Sequence, residues 1–171
     1  MSFNTPQEVS ITGANLSVGI VAARYNPTLV DALLHQVFEQ LRSAGVKEKK
    51  IRIYRVPGSN ELPSAAQWLA TATKPDVIVA LGVIIRGDTL HYDVIANEVT
   101  RGIGQAAQET GVPMGFGVLT CDTLEQAIDR AGLKAGNKGW EAALAAVEMA
   151  VLQKKAKKKS SKSIAKGAPV Q

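Results

Sequence analysis

Four apolar runs, separated by amphipathic stretches, outline the chain. The first run, Leu16 to Tyr25 (LSVGIVAARY), is rich in β-branched residues and reads as a buried strand. From Asn26 to Gly45 the apolar positions Val30, Leu33, Leu34, Val37 and Leu41 recur at helical spacing. Asn26 is placed there as the N-cap, Pro27 as the first helical residue and Gly45 as the stop. Ile51 to Val56 (IRIYRV) predicts a second strand, and Asn60 to Thr71 a shorter helix. The most hydrophobic run, Val77 to Ile85 (VIVALGVII), predicts the third strand, followed by a helix from about His91 to Thr110. Gly111-Val112-Pro113 breaks that helix ahead of a fourth strand, Met114 to Thr120. Two closing helices are expected over Thr123 to Gly132 and Gly139 to Gln153.

Regular alternation of strand and helix points to an α/β protein, a parallel sheet with helices on both faces. Near-continuous apolar strands agree, because such strands are covered on both sides. The reading is a three-layer αβα sandwich with a four-stranded, flavodoxin-like sheet, compatible with an added N-terminal strand from a neighbouring subunit. Residues 1–15 form an N-terminal arm and residues 16–153 one domain. Residues 154–171 form a lysine-rich tail that is expected to be disordered, having high charge and almost no large apolar residue.

Composition refines this picture in three places. Aromatic residues make up 5% of the 171, so the core must be built from Val, Ile, Leu and Ala. The formal charge of +5 is a property of the tail: seven lysines and no acid lie from Lys154 onward, leaving 13 basic against 15 acidic residues elsewhere. Such a tail attracts nucleic acid or acidic cargo without sequence preference, although basic tails are more often simply solvated. The single cysteine, Cys121, excludes an intramolecular disulfide and a thiolate metal cluster. No run approaches the ~20 apolar residues of a membrane span. The opening MSFNTPQEVS resembles no signal peptide, so cytoplasmic residence is the expectation.

Ligands of open α/β sheets bind beyond the carboxyl ends of the strands. Those ends here carry Tyr25-Asn26, then VPGSNE (Val56 to Glu61), then RGDTLH (Arg86 to His91), then Phe116 and the residues after it. The RGDT turn leads into a helix whose free N–H groups and positive dipole end suit a phosphate, with Thr89 as a hydroxyl donor. An ordinary capped helix has the same features, and a bound phosphate would require the Asp88 carboxylate to point away. His91 lies in the first turn of that helix, where the dipole favours the neutral imidazole that can accept a proton. Its alternative is a half-buried surface histidine. The other histidine, His35, sits inside an amphipathic helix and is read as structural. Glu61 is either a ligand group after Gly58 or an acid complementing a helix start. Arg130 and Lys138 flank a glycine-punctuated connection, where solvated charge is the usual explanation. Gly102 to Ala107 (GIGQAA) lies inside a helical pattern, which rejects a dinucleotide fingerprint.

Taken together, ARYN, VPGSNELP, ALGVIIRGDTLHYDVIANEV, ETGVPMGFGVLTCDTLEQAIDRAGLKAGNKGWEAA and AAVEMA resemble the lumazine synthase family in order and spacing, from about Leu16 to Ala150. The resemblance implies condensation of 5-amino-6-(D-ribitylamino)uracil with 3,4-dihydroxy-2-butanone 4-phosphate to 6,7-dimethyl-8-ribityllumazine, phosphate and water. It implies no metal, flavin or nicotinamide cofactor. His91 would move protons, and Arg130 would grip the phosphate with the Asp88-Thr89 backbone. Tyr25 would stack on the pyrimidine with Asn26 beside it. Ser59, Asn60 and Glu61 would hold the ribityl chain, with Val83, Ile84 and Ile85 lining the ring pocket. Phe116, Arg130 and Lys138 would come from a neighbouring subunit, because the family builds its sites between subunits of a pentamer.

The chain departs from the family pattern at Tyr25, commonly Phe or Trp, and at Ser59-Asn60, commonly an apolar pair. The second departure leaves open a lumazine- or flavin-binding paralogue with little catalysis. The short GLKAGNKG connection resembles that of members that assemble pentamers into icosahedral shells.

Overall fold

The structure, a computed structural model, describes residues 11–134 and 138–166. Its elements are β1 (Val18–Ala23), α1 (Pro27–Ser43), β2 (Ile51–Val56), α2 (Leu62–Thr73), β3 (Val77–Ile85), α3 (His91–Thr110), β4 (Met114–Cys121), α4 (Leu124–Ile128) and α5 (Lys138–Lys166). The four strands form one parallel sheet in the order β2-β1-β3-β4. This is the α/β architecture read from the alternation. The N-terminal strand considered there falls on residues 1–10, outside the described residues.

Two aliphatic clusters hold the layers together. Leu33, Val37 and Leu41 of α1 and Ala143 and Val147 of α5 pack on one face, over Ile20, Val79 and Leu81. Leu62 and Ala66 of α2 and Val99 and Ile103 of α3 pack on the other, over Val21, Ile78 and Ala80. Successive β3 residues thus feed opposite layers, and all but its last residue are buried, as a strand covered on both faces must be. Complete burial of Ile20, Leu33, Ile78 or Leu81 is worth roughly 1.5–3 kcal/mol each. β2 differs: it is an outer strand whose Arg52 and Ile53 are exposed.

The structure departs from the local reading in three places. Asn26 occupies the N-cap position of α1 but makes no side-chain cap; it is left-handed, with φ 56°. Its Nδ2 donates instead to the Val83 carbonyl at 3.0 Å, tying the end of β1 to β3. The helix expected over Thr123 to Gly132 is regular only through Ile128, capped by the Thr123 hydroxyl, which accepts from the Gln126 N–H. It then widens into a π-turn at Asp129–Leu133, which Gly132 leaves at φ 89°.

The third concerns the tail. α5 does not stop at Gln153 but runs on to Lys166. Gln153 Nε2 donates to the Gly111 carbonyl and Lys154 Nζ pairs with Asp76 at 2.7 Å, so the helix is anchored where the lysines begin. Ala, Lys and Ser carry little penalty for continuing an established helix, since its costly nucleus is already formed.

Candidate active site

A cavity of about 650 Å³ opens at the carboxyl ends of β1 and β3. Of the residues singled out in the sequence, Tyr25, Asn26, Ser59, Asn60, Glu61, Val83, Ile84, Ile85, Thr89 and His91 line it together. Asp88 is exposed and is not among the lining residues, as a phosphate on this turn would require.

Each wall has a local cause. Tyr25 follows β1, and its ring lies against Gly58, where a Cβ would come within 3.2 Å of Tyr25 Cδ2. The ring remains 71% exposed, a large flat apolar surface at the cavity mouth. Ser59–Glu61 forms a single 3-10 turn before α2. The Glu61 carboxylate accepts from the Gly58 N–H at 2.8 Å and from Asn60 Nδ2 at 3.3 Å. In this state Glu61 therefore serves its own helix start, the plainer of its two readings. Ser59 is buried, its hydroxyl pressed toward β3 at Gly82, where an added Cβ would lie 2.5 Å from Ser59 Oγ. Val83 to Ile85 form the apolar floor, and the Val83 carbonyl receives the Asn26 amide.

The turn from β3 to α3 brings backbone and imidazole to the same opening. Gly87 and Thr89 line the cavity, His91 is the first residue of α3, and its N–H donates to Thr89 Oγ1 at 3.4 Å. Tyr92 and Ile95, absent from the sequence reading, complete this wall. They lie on the same helix as His91, and the i, i+4 spacing of His91 and Ile95 was the available signal.

Phe116, Arg130 and Lys138 lie elsewhere. They line a second cavity of about 570 Å³ along β4 and α5, with Met149 and Glu141. The two cavities share no lining residue. Phe116 is 41% exposed, Lys138 Nζ pairs with Glu141 at 2.6 Å, and Arg130 donates to the Gln126 carbonyl at 3.4 Å. This surface presents an aromatic ring and two cations but neither His91 nor the Val83–Ile85 floor.

Cys121 ends β4 beneath this surface. Burial pushes its thiol up, and the nearby Arg130 charge only partly offsets that, so it is not an activated nucleophile. Among the described residues no three His, Cys, Asp or Glu side chains are grouped to hold a metal ion, and no helix is long and apolar enough to cross a membrane.

Comparison with known proteins agrees over the whole body. The family model for 6,7-dimethyl-8-ribityllumazine synthase matches residues 15–154. The 6,7-dimethyl-8-ribityllumazine synthase of Aquifex aeolicus (strain VF5) is 50% identical over 147 residues, covering 86% of this chain and 96% of that protein. Those of Anaeromyxobacter sp. (strain Fw109-5) and Syntrophus aciditrophicus (strain SB) are 46% and 45% identical, over 88% and 85% of this chain and 93% and 94% of theirs. With its parallel sheet, its strand-end cavity and this extent of identity, the chain belongs to the 6,7-dimethyl-8-ribityllumazine synthase family.

Proposed function

We infer that this protein condenses 5-amino-6-(D-ribitylamino)uracil with 3,4-dihydroxy-2-butanone 4-phosphate, releasing 6,7-dimethyl-8-ribityllumazine, inorganic phosphate and water. The observation that carries the reading in structural terms is the division of the site residues between two cavities. One holds the flat apolar floor, the Tyr25 ring and His91; the other holds Phe116, Arg130 and Lys138. A pyrimidine suits the first and the phosphate end of the second substrate suits the cations of the other. Neither cavity alone has the groups for both.

A complete site therefore forms when the β4 surface of one copy closes over the His91 cavity of the next. Two different patches meeting head to tail make a heterologous interface, which gives a ring when the rotation between copies closes. A ring of five is the family expectation, and the mass of the assembly distinguishes a pentamer from a shell of pentamers.

The chemistry asks mainly for proton movement between two held reactants. The ring amine attacks the ketone and one water leaves to give an imine. Loss of a proton expels phosphate, and attack of the ribityl-bearing nitrogen closes the second ring with loss of another water. His91 stands at the junction of the two substrate ends and carries these protons. Arg130 holds the phosphate with a planar pair of donors, and Thr89 with the turn N–H groups completes its shell. Proximity supplies much of the rate, so His91→Ala lowers turnover by about a hundredfold, the low end of general acid–base effects. The test is incubation with both substrates, followed by lumazine fluorescence. Near-normal turnover by His91→Ala would remove the imidazole from this role, and absence of product from the wild-type protein would overturn the reading. No feature of the site favours a binding-only paralogue: Ser59 and Asn60 line the cavity beside His91, and the Ser59 hydroxyl sits close to Gly82 of β3.

A further inference from the structure

Arg86 stands between β3 and the Gly87–Leu90 turn, one residue ahead of the backbone that lines the cavity. An arginine there invites assignment as a phosphate ligand, but its guanidinium is already committed. Nε donates to Asp122 Oδ1 at 2.7 Å, and Nη1 and Nη2 donate to the two Asp93 oxygens at 3.1 and 3.2 Å. The Tyr92 ring lies 4.1 Å from the guanidinium carbon, and the Arg86 N–H donates to the Cys121 carbonyl at 2.9 Å. Arg86 does not line the cavity, whereas its stacking partner Tyr92 does.

These contacts join three elements: the end of β3, the first turn of α3 and the turn after β4. Asp93 is the acid in that first turn, already an anion at the helix end where a phosphate is expected. Asp122 is held in place by its own N–H, which donates to Gln126 Oε1 at 3.0 Å. Without Arg86, two uncompensated carboxylates would flank the anion site.

We propose that Arg86 is a positioning residue for the phosphate half of the site, pinning and neutralising Asp93 and Asp122 rather than touching phosphate itself. The proposal rests on the reading that a phosphorylated substrate is bound at this turn. All three side chains are about half exposed, so their pairing adds little to global stability. Loss of function without loss of fold is therefore the expected signature.

The test uses full-length assembled protein in three forms besides wild type: Arg86→Gln, Arg86→Lys, and Arg86→Gln combined with Asp93→Asn and Asp122→Asn. Inorganic phosphate is titrated by calorimetry, which needs no turnover, and KM is measured for each substrate. Arg86→Gln should weaken phosphate binding about three- to thirtyfold at low salt, the scale of losing one opposing unit charge beside a surface anion site. KM for the butanone phosphate should rise in parallel, with KM for the pyrimidine substrate unchanged within about twofold. Arg86→Lys keeps the charge but not the paired donors to Asp93, and should fall between wild type and Arg86→Gln. The triple variant should recover phosphate affinity to within about threefold of wild type, because the repelling carboxylates are gone. A triple variant as weak as Arg86→Gln would mean that Arg86 grips phosphate directly, and unchanged affinity in Arg86→Gln would remove it from the site. Either result overturns the proposal. Because phosphate binding is read without catalysis, a protein that binds phosphate in this pattern yet makes no lumazine would fail the functional reading alone.

Discussion

Gly82 is the point where sheet packing meets the Ser59 turn that lines the His91 cavity, so Gly82→Ala tests both. A Cβ there would lie 2.5 Å from Ser59 Oγ, 3.0 Å from Leu62 Cδ1 and 3.4 Å from Ser59 Cβ. Ordinary carbon contacts lie near 3.5–4.0 Å, so roughly 1 Å of displacement is needed. β3 cannot supply it, being an inner strand paired with β1 and β4, with Gly82 opposite Val118. Leu62 is completely buried, which leaves the Gly58–Glu61 turn to move. Such overpacking costs about 1–3 kcal/mol, or roughly 3–10 °C in Tm for a chain of this size. A shift of ~1 Å in a substrate-positioning turn can cost up to about a hundredfold in rate. We expect KM for the ribitylaminouracil to rise about tenfold, with KM for the butanone phosphate within about twofold of wild type. Ser59→Gly placed in the same chain removes the clashing hydroxyl and should restore most of the lost stability and affinity, less ~0.5–1 kcal/mol for the added glycine. Scanning calorimetry and steady-state fluorescence kinetics read both effects. Wild-type Tm and KM in Gly82→Ala, or a double variant no better than the single, would refute the packing argument.

Two further outcomes follow from named contacts. Arg130→Ala should raise KM for the butanone phosphate about tenfold to a hundredfold, the worth of a charge-assisted pair of hydrogen bonds, and an unchanged KM would withdraw the phosphate assignment. At Asp76 burial alone would raise the carboxyl, but the Lys154 ammonium and the Ser17 N–H and hydroxyl outweigh it and hold it below its usual value. A depressed carboxyl contributes stability above its unfolded pKa of about 4 and loses it as the pH falls through the lower folded value. Asp76→Asn should therefore lower stability by about 1–2 kcal/mol at pH 7. Thermal melts from pH 7 downward should show that gap closing below pH ~4, whereas a constant gap would contradict the linkage.

What the sequence made legible, and what it did not, divides along the range of the interactions involved. β3 and α3 were readable to the residue, because an unbroken apolar run ends at a glycine-containing turn and Gly111-Val112-Pro113 stops the helix. The gathering of Tyr25, Ser59 and His91 at one rim follows from parallel strands alone. The role of Asn26 was misread because its partner, the Val83 carbonyl, lies 57 residues away. Gly82 gave no signal inside an apolar run; only the approach of Ser59 makes its missing side chain matter. The pairing of Arg86 left no signal, because Asp122, its partner beyond β4, is brought near by sheet pairing rather than by spacing. The extension of α5 past Gln153 was hidden from a composition-based reading, which cannot show that Gln153 and Lys154 meet partners at Gly111 and Asp76. Membership of the lumazine synthase family, by contrast, was carried by motifs spread along the body and is borne out by the relatives.

The central claim is that one site is shared between two copies of the chain. It is tested most directly by mixing. His91→Ala and Arg130→Ala are each prepared separately, then unfolded together in equal amounts and reassembled. If the site spans two copies, random assembly places an intact His91 cavity against an intact Arg130 surface at about a quarter of the interfaces. Lumazine formation should then recover to about a quarter of the reassembled wild-type rate, well above either variant alone. A mixture no more active than the average of the two variants would place both residues within a single chain's site and contradict the account.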